Sequence, residues 1–326
     1  MSKLNCISVP EQLLYDGEAF PRIVIFDSAP DYDVATWVES HKEAIEQALN
    51  VSGAVLFRGF PVSSAEGFDA FSAAFSYPDF TYAESLSNAV RINFTERVFT
   101  ANEAPPEVEI FLHHEMAQTP VSPSKLFFYC QTAAETGGAT PLCRSDQLFQ
   151  KLANEKPEWA AEFEEKGVKY TTIMPDQNDP NSGQGRSWKS TLSVEDKSDA
   201  EEKLKILGYT WHWRTDNTLE ATTPRLPAVK VLPTGEKAFY NQLIAAYEGW
   251  QGVKQNPKSA ITFGDGSEVK VAQLDYIAGL TDEFTFDLCW QDGDIALVDN
   301  HRTMHGRRSY AGEKKRQVLV ALAADR

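Results

Sequence analysis

The sequence predicts an α+β fold: an antiparallel β-sandwich or jelly roll with flanking helices and a long insertion. Two observations carry this. Beyond residue 85 the apolar segments are short, β-branched or aromatic, and bounded by Gly, Pro or Asp, as strands are. These segments also lack the regular strand-helix alternation that builds a parallel sheet. In order, Asp33 to Asn50 carries apolar residues at Val34, Trp37, Val38, Ile45, Ala48 and Leu49, a helical stripe behind an Asp cap. Gly53 to Phe60 (GAVLFRGF) reads as a buried strand. Ser63 and Glu66 have capping-box spacing ahead of Phe68, Phe71 and Phe75, which predicts a second helix. Strands follow at Ser124 to Gln131, Leu226 to Pro233 and Asp294 to Asn300, and helices at Ser145 to Gly167 and Val194 to Gly208. The polar segment 176–190, DQNDPNSGQGRSWKS, is a loop of the kind that forms lids and binding segments. No repeat or low-complexity linker interrupts the chain.

With 326 residues, 42% of them apolar and 24% charged, the chain has length enough to bury a large core. A formal net charge of -16 and a pI near 4.9 argue against nucleic acid or an anionic membrane as partner, since both need a basic footprint. A few local arginines can still line a pocket for an anionic small molecule. Cys6, Cys130, Cys143 and Cys289 are far apart and form no C-x-x-C pair, and the N-terminus has no signal pattern. A soluble cytoplasmic protein is therefore expected. No apolar run approaches a membrane span. Nothing speaks to oligomeric state.

The stretch EIFLHHEM, Glu109 to Met116, contains one His-x-Glu pair, His113 and Glu115. Strand alternation would put Phe111, His113 and Glu115 on one face and His114 on the other, with Ile110, Leu112 and Met116. A third ligand could come from His301 or His305, both after the apolar strand Ile295 to Val298, and spacing does not choose between them. Two histidines and a carboxylate suit a non-haem iron(II) oxygenase with open coordination positions, or zinc for hydrolysis. Counting by two places Arg316 on the face of Val318, Val320 and Leu322. If that face is interior, the guanidinium needs an anionic partner such as a carboxylate; if the strand end frays, Arg316 points to water beside Lys314 and Lys315.

Several ordered motifs carry a resemblance. LHHEM at Leu112 to Met116, FFYCQTAAETGGATPL at Phe127 to Leu142, PTGEKAFYNQ at Pro233 to Gln242, FGDGSEV at Phe263 to Val269 and WQDGDIALVDNHRTMHGRR at Trp290 to Arg308 are matched in order. Across about residues 80 to 325 the chain resembles the taurine dioxygenase/TfdA superfamily of iron(II) and 2-oxoglutarate dependent oxygenases, particularly its clavaminate-synthase-like and SyrP-like members. The resemblance implies a double-stranded β-helix (jelly roll) core in one domain spanning 1–326, with 1–80 as N-terminal support and about 143–225 as an insertion or lid. It implies iron ligands at His113, Glu115 and His305, with His301 excluded, and a 2-oxoglutarate site at Thr140 and Arg316. Thr140 lies 140 - 113 = 27 residues after His113, and Arg316 lies 316 - 305 = 11 after His305.

Many members carry a further arginine just beyond the one matched by Arg316, and Val318 to Ala324 contains none, which speaks against a sulfonate substrate. His114 stands where many relatives have Asn, and Glu115 speaks against a halogenase. The implied reaction is hydroxylation or desaturation of a small polar molecule, such as an amino acid or a carrier-tethered aminoacyl group, with 2-oxoglutarate and dioxygen converted to succinate and carbon dioxide. Candidate substrate contacts are Arg91 in SNAVRINF, Arg186 and Trp188 in GRSWKS, and Asn241 with Gln242. In YTWHWR, alternation sends Trp211 and Trp213 to the core and His212 outward. A zinc hydrolase on the same triad and a non-catalytic metal-binding protein are the alternatives.

Overall fold

The computed structural model describes residues 3–29, 32–80, 86, 91–178 and 185–324. Its centre is a pair of packed sheets. One has seven strands in the order Cys6–Ile7, Arg22–Ile25, Ala54–Arg58, Ile295–Asp299, Lys125–Thr132, Gln317–Ala323 and Phe99–Thr100. All its pairings are antiparallel except Arg22–Ile25 beside Ala54–Arg58. The second has four antiparallel strands in the order Thr285–Leu288, Thr140–Arg144, Thr303–Arg307 and Ile110–His113.

Strand Lys125–Thr132 shows why these segments read as unbroken apolar runs. Leu126, Phe128 and Cys130 pack with Leu142, Phe286 and Leu288 of the four-stranded sheet. Phe127 and Tyr129 alternate to the other face and pack with Trp37, Val38, Ile45, Leu49, Phe68 and Phe71 of the N-terminal helices. Both faces are buried, so alternation of apolar and polar residues disappears. Cutting one of these rings back, as in Phe127→Ala, would cost about 3–5 kcal/mol. The outer face of the four-stranded sheet contributes Leu112, Cys143 and Met304 to a third cluster with helices Ser145–Glu155, Pro157–Lys166, Leu243–Gly249 and Val271–Leu280.

Helix Val34–Ser52 begins as expected, with the Asp33 carboxylate accepting the Thr36 N–H at 2.8 Å, and ends at Gly53, whose φ of 84° lets its N–H return to the Leu49 carbonyl. Helix Ala65–Ala73 starts one residue later than the capping box predicts. Ser64, not Ser63, accepts the Gly67 N–H at 3.1 Å. The expected helix over 145–167 is two, broken at Lys156 because Pro157 has no N–H to donate and disfavours helical backbone before it. The helix expected over 194–208 is confined to Lys197–Ile206. The expected strand Leu226 to Pro233 shrinks to Lys230–Val231, bracketed by Pro227 and Pro233 and paired only with Lys237–Ala238.

Within 143–225, and reaching to Ile261–Phe263, a third sheet orders Thr210–Trp213, Leu219–Thr222, Val168–Met174 and Ile261–Phe263. It has its own small core of Met174, Trp188, Leu192, Leu204 and Leu219, with Trp211 and Trp213 packed against it and His212 exposed, as alternation predicts. All four cysteines are free thiols, and no helix among the described residues is long and apolar enough to cross a membrane.

Candidate metal centre and ligand pocket

Sheet register assembles the first part of the site. In the four-stranded sheet His305 pairs directly with His113 on one side and with Leu142 on the other. Directly paired residues bring their side chains together, and the two imidazole centroids are 4.3 Å apart. Gly306 permits this approach, since a Cβ there would lie 2.4 Å from the Ile110 carbonyl oxygen. Strand Ile110–His113 then ends, so Glu115 reaches the histidines from the following turn and not by strand alternation. Met116 sits at φ 57° in that turn. One Glu115 oxygen, Oε2, lies 3.7 Å from His113 Nε2 and 3.4 Å from His305 Nε2.

Asn300 holds this turn. Its side chain accepts the Glu115 N–H at 2.7 Å and donates to the carbonyls of Glu115 (3.0 Å) and Pro123 (2.7 Å), and its own carbonyl contacts His114 Nδ1 at 2.5 Å. His114 is wholly buried, lies against the Tyr240 ring at a tilt of 47° and points away from the triad, so the expected direction holds although the strand has already ended. His113 Nδ1 faces the Phe111 carbonyl at 2.8 Å, which leaves Nε2 for the site.

The electrostatics follow from burial. Burial works to raise the Glu115 carboxyl, but His113, His305 and Arg91 hold it well below the usual range. Burial, reinforced by His113, pulls His305 down to about 4, so its imidazole is neutral at pH 7. Burial likewise takes His114 to about 3.

The same cavity carries a cationic wall. Arg316 is 8% exposed and donates its Nε to the Gly138 carbonyl at 3.0 Å; among the described residues it has no carboxylate partner. Burial, then the neighbouring Arg307, lowers it to about 10. Gly138 lies at φ 71°, and a Cβ there would sit 3.0 Å from Arg316 Cδ and Nε, so a glycine is needed for the arginine to lie flat. Thr140 is buried two residues on, and its hydroxyl accepts from Trp290 Nε1 at 2.9 Å. Arg307 is spent on backbone, donating to the carbonyls of Asn102, Ala104, Pro105 and Val108. The pocket lined by His113, Glu115, His305, Thr140, Arg316 and Arg91 holds about 590 Å³ of empty space, open mouth included.

The structure thus brings together His113, Glu115, His305, Thr140, Arg316 and Arg91. Arg91 approaches Glu115 Oε1 to 3.9 Å; residues 87–90 before it lie outside the described residues. The other substrate candidates do not line this pocket. Trp188 is 2% exposed inside the core of the third sheet. Arg186 folds back on the helix that follows it, donating to Ser190 Oγ at 3.1 Å, and 179–184 lie outside the described residues. Asn241 spends its amide on the Ala228 carbonyl and the Leu243 N–H, and Gln242 donates to the His114 carbonyl. Buried polar side chains satisfy backbone groups first, which motif position cannot reveal. Sequence reasoning missed Asn300, Arg307 and Trp290, all inside the quoted stretch WQDGDIALVDNHRTMHGRR; buried polar types between apolar strand residues were the available signal.

Two imidazoles and a carboxylate whose donor atoms converge are a ligand set that could hold a metal ion, and they lie in one cavity with an arginine that has no carboxylate partner among the described residues. Residues 21–322 match the family described as taurine catabolism dioxygenase TauD, TfdA family, and the chain belongs to it. It is 35% identical to a clavaminate synthase-like protein of Arabidopsis thaliana over 322 residues, 96% of each chain. It is 27% identical to the dapdiamide synthesis protein DdaC of Enterobacter agglomerans, covering 85% of this chain and 84% of that one. Among solved structures, AAD-2 in complex with Mn(II) and N-oxalylglycine superposes with a TM-score of 0.55 at 14% identity, covering 99% of this chain and 98% of that one.

Enzymes of this family use iron(II), 2-oxoglutarate and dioxygen. The residues here fit those groups. The donor atoms of His113, Glu115 and His305 lie within 4.8 Å of one another. The two carboxylate-imidazole separations fall inside the reach, about 4.2 Å, of two ligand bonds of roughly 2.1 Å.

Proposed function

We propose that this protein is an iron(II)/2-oxoglutarate-dependent dioxygenase that hydroxylates or desaturates a small polar substrate, such as an amino acid or a carrier-tethered aminoacyl group. The carrying observation is that the triad and the uncompensated Arg316, with Thr140 beside it, line one cavity. His113, Glu115 and His305 would hold iron on one face, and Arg316 with Thr140 would hold the distal carboxylate of 2-oxoglutarate. When bound, iron with 2-oxoglutarate and dioxygen supplies the oxidising power for a C–H bond, releasing succinate and carbon dioxide. The chain's own part is to orient the substrate and exclude water. Arg91, beside Glu115, is the residue proposed to clamp the substrate carboxylate.

In this reading the two packed sheets form a double-stranded β-helix within one domain, 1–326, with 1–80 as N-terminal support and the region near 143–225 as an insertion. A cytoplasmic setting is supported by the unpaired cysteines. Similarity to proteins named for clavaminate-synthase likeness and dapdiamide synthesis supports a small-molecule substrate.

Anaerobic addition of iron(II) and 2-oxoglutarate should produce a weak visible charge-transfer band, and its absence in folded protein would sink the cosubstrate assignment. Glu115→Ala should abolish succinate formation. A screen of amino acids, free and tethered to a carrier, should find one product 16 mass units heavier for hydroxylation or 2 lighter for desaturation. A zinc hydrolase on the same triad leaves the open guanidinium of Arg316 and the hydroxyl of Thr140 without a purpose. Succinate formed without substrate in the parent protein, and not in Glu115→Ala, separates an oxygenase from a non-catalytic binder.

A further inference from the structure

The hydrogen bond between Trp290 and Thr140 has a fixed direction. An indole N–H only donates, whereas a threonine hydroxyl has one proton and two lone pairs. At 2.9 Å, Trp290 Nε1 therefore donates and Thr140 Oγ1 accepts. One lone pair of Thr140 is thereby occupied, and its own proton must be aimed elsewhere. Among the described residues no acceptor takes that proton, and Thr140, 4% exposed, lines the cavity with Arg316. We infer that Trp290 is a positioning residue: its indole N–H sets the Thr140 hydroxyl as a donor into the cavity, so that hydroxyl and Arg316 present matched donors to one carboxylate. This rests on the reading that Thr140 and Arg316 hold 2-oxoglutarate.

The placement of Trp290 is itself braced. Thr140 pairs with Leu288 at the end of their ladder, and Trp290 lies two residues past that end, its ring packed against the core between the sheets. The turn that follows is tied to strand Ala54–Arg58. Arg58 donates to both Asp294 oxygens, at 3.0 and 2.7 Å, and Asp294 accepts the Gln291 N–H at 2.9 Å. The orientation of Thr140 is thus built into the fold before any ligand arrives, and pre-set donors spare the cost of ordering them on binding.

The test is a double-mutant cycle on 2-oxoglutarate binding to the Mn(II)-loaded protein, measured by calorimetry so that no turnover is needed. Thr140→Val should weaken binding about tenfold or more, the worth of a hydrogen bond to a charged group. Trp290→Phe should weaken it about three- to tenfold with Mn(II) affinity unchanged, and in the Thr140→Val background it should add nothing. Because losing the indole could disturb packing, 3-benzothienylalanine placed at 290 by site-specific incorporation keeps the ring shape with sulfur in place of N–H and should behave as the Phe variant does. Unchanged affinity on removing the N–H, with Thr140→Val still weak, overturns the inference alone. So does a loss that is fully additive with Thr140→Val, which marks a general packing effect. If Thr140→Val itself binds 2-oxoglutarate normally, the assignment of Thr140 to the cosubstrate falls first.

Discussion

Arg302 and Arg316 are both buried guanidiniums, at 3% and 8% exposure, one at the near end of strand Thr303–Arg307 and the other just before strand Gln317–Ala323. The protein satisfies them in opposite ways. Arg302 donates to Asp146 at 2.6 Å and to Thr234 at 2.7 Å, and Asp146 is shared with Arg144, whose remaining amino group reaches the carbonyls of Val51 and Ser52. Glu236 lies 3.5 Å from Arg302 as a second carboxylate, so the network ties the end of helix Val34–Ser52 to the four-stranded sheet with an anion for each of its two arginines. Arg316 has one carbonyl and no carboxylate among the described residues. A buried cation is structural when the fold supplies its anion and a binding element when it does not.

The largest test of this contrast is Asp146→Ala. It strands two buried guanidiniums, so stability should fall by about 3–5 kcal/mol in urea unfolding, with 2-oxoglutarate affinity of the folded fraction unchanged. The pH dependence has a definite sign. Burial works to raise the Asp146 carboxyl, and Arg144 and Arg302 outweigh it, holding it below its usual range. Its contribution is therefore complete above the unfolded carboxylate pKa of about 4 and is lost as pH falls through that value and below. Asp146→Asn should flatten this acid limb of the stability curve.

Arg316→Met should do the opposite. Binding of 2-oxoglutarate should weaken roughly 100-fold, about 2.7 kcal/mol, while the melting temperature of the ligand-free protein holds or rises because a desolvated, unpaired charge is gone. Destabilisation on the scale of Asp146→Ala would break the comparison.

Asn300→Ala probes the metal end. Losing the side chain that fixes the Glu115 backbone should weaken Co(II) affinity about 10- to 100-fold, the usual effect of removing a residue that orients a ligand. An unchanged Co(II) titration would leave Asn300 as packing only. The smallest effect is expected from His114→Asn, with metal and 2-oxoglutarate affinities within about threefold of the parent, because the ring points at Asn300 and Tyr240 and away from the triad. His113→Ala should lose the metal; the reverse pattern would exchange the roles of the two histidines.

Much of this site was legible before the fold was known. His113, Glu115, His305, Thr140 and Arg316 were all marked in the chain, and all line one cavity. Counting by two placed Arg316 with Val318, Val320 and Leu322, and those residues do share the cavity wall, even though the ladder shifts register between Gln317 and Val318. The same count reached Glu115 for the wrong reason, because the strand stops at His113 and a turn held by Asn300 completes the approach. Trp188, Arg186 and Asn241 do not line that cavity, which motif position could not show, because an indole, a guanidinium or an amide reads the same in sequence whether it faces a ligand or satisfies its own fold.

What the sequence determined by itself is what depends on neighbours in the chain. Asp33 caps a helix, Pro157 breaks one, Gly138 takes a backbone angle that a side chain resists, and Phe127 with Phe128 marks a strand buried on both faces. Spacing left His301 and His305 open and resemblance alone favoured His305; the tertiary structure gives the physical reason, a strand register that joins His305 to His113 across nearly two hundred positions. It alone decided which buried arginine is left open, since the anion that closes Arg302 comes from Asp146 in the first turn of helix Ser145–Glu155, and among the described residues none comes to Arg316.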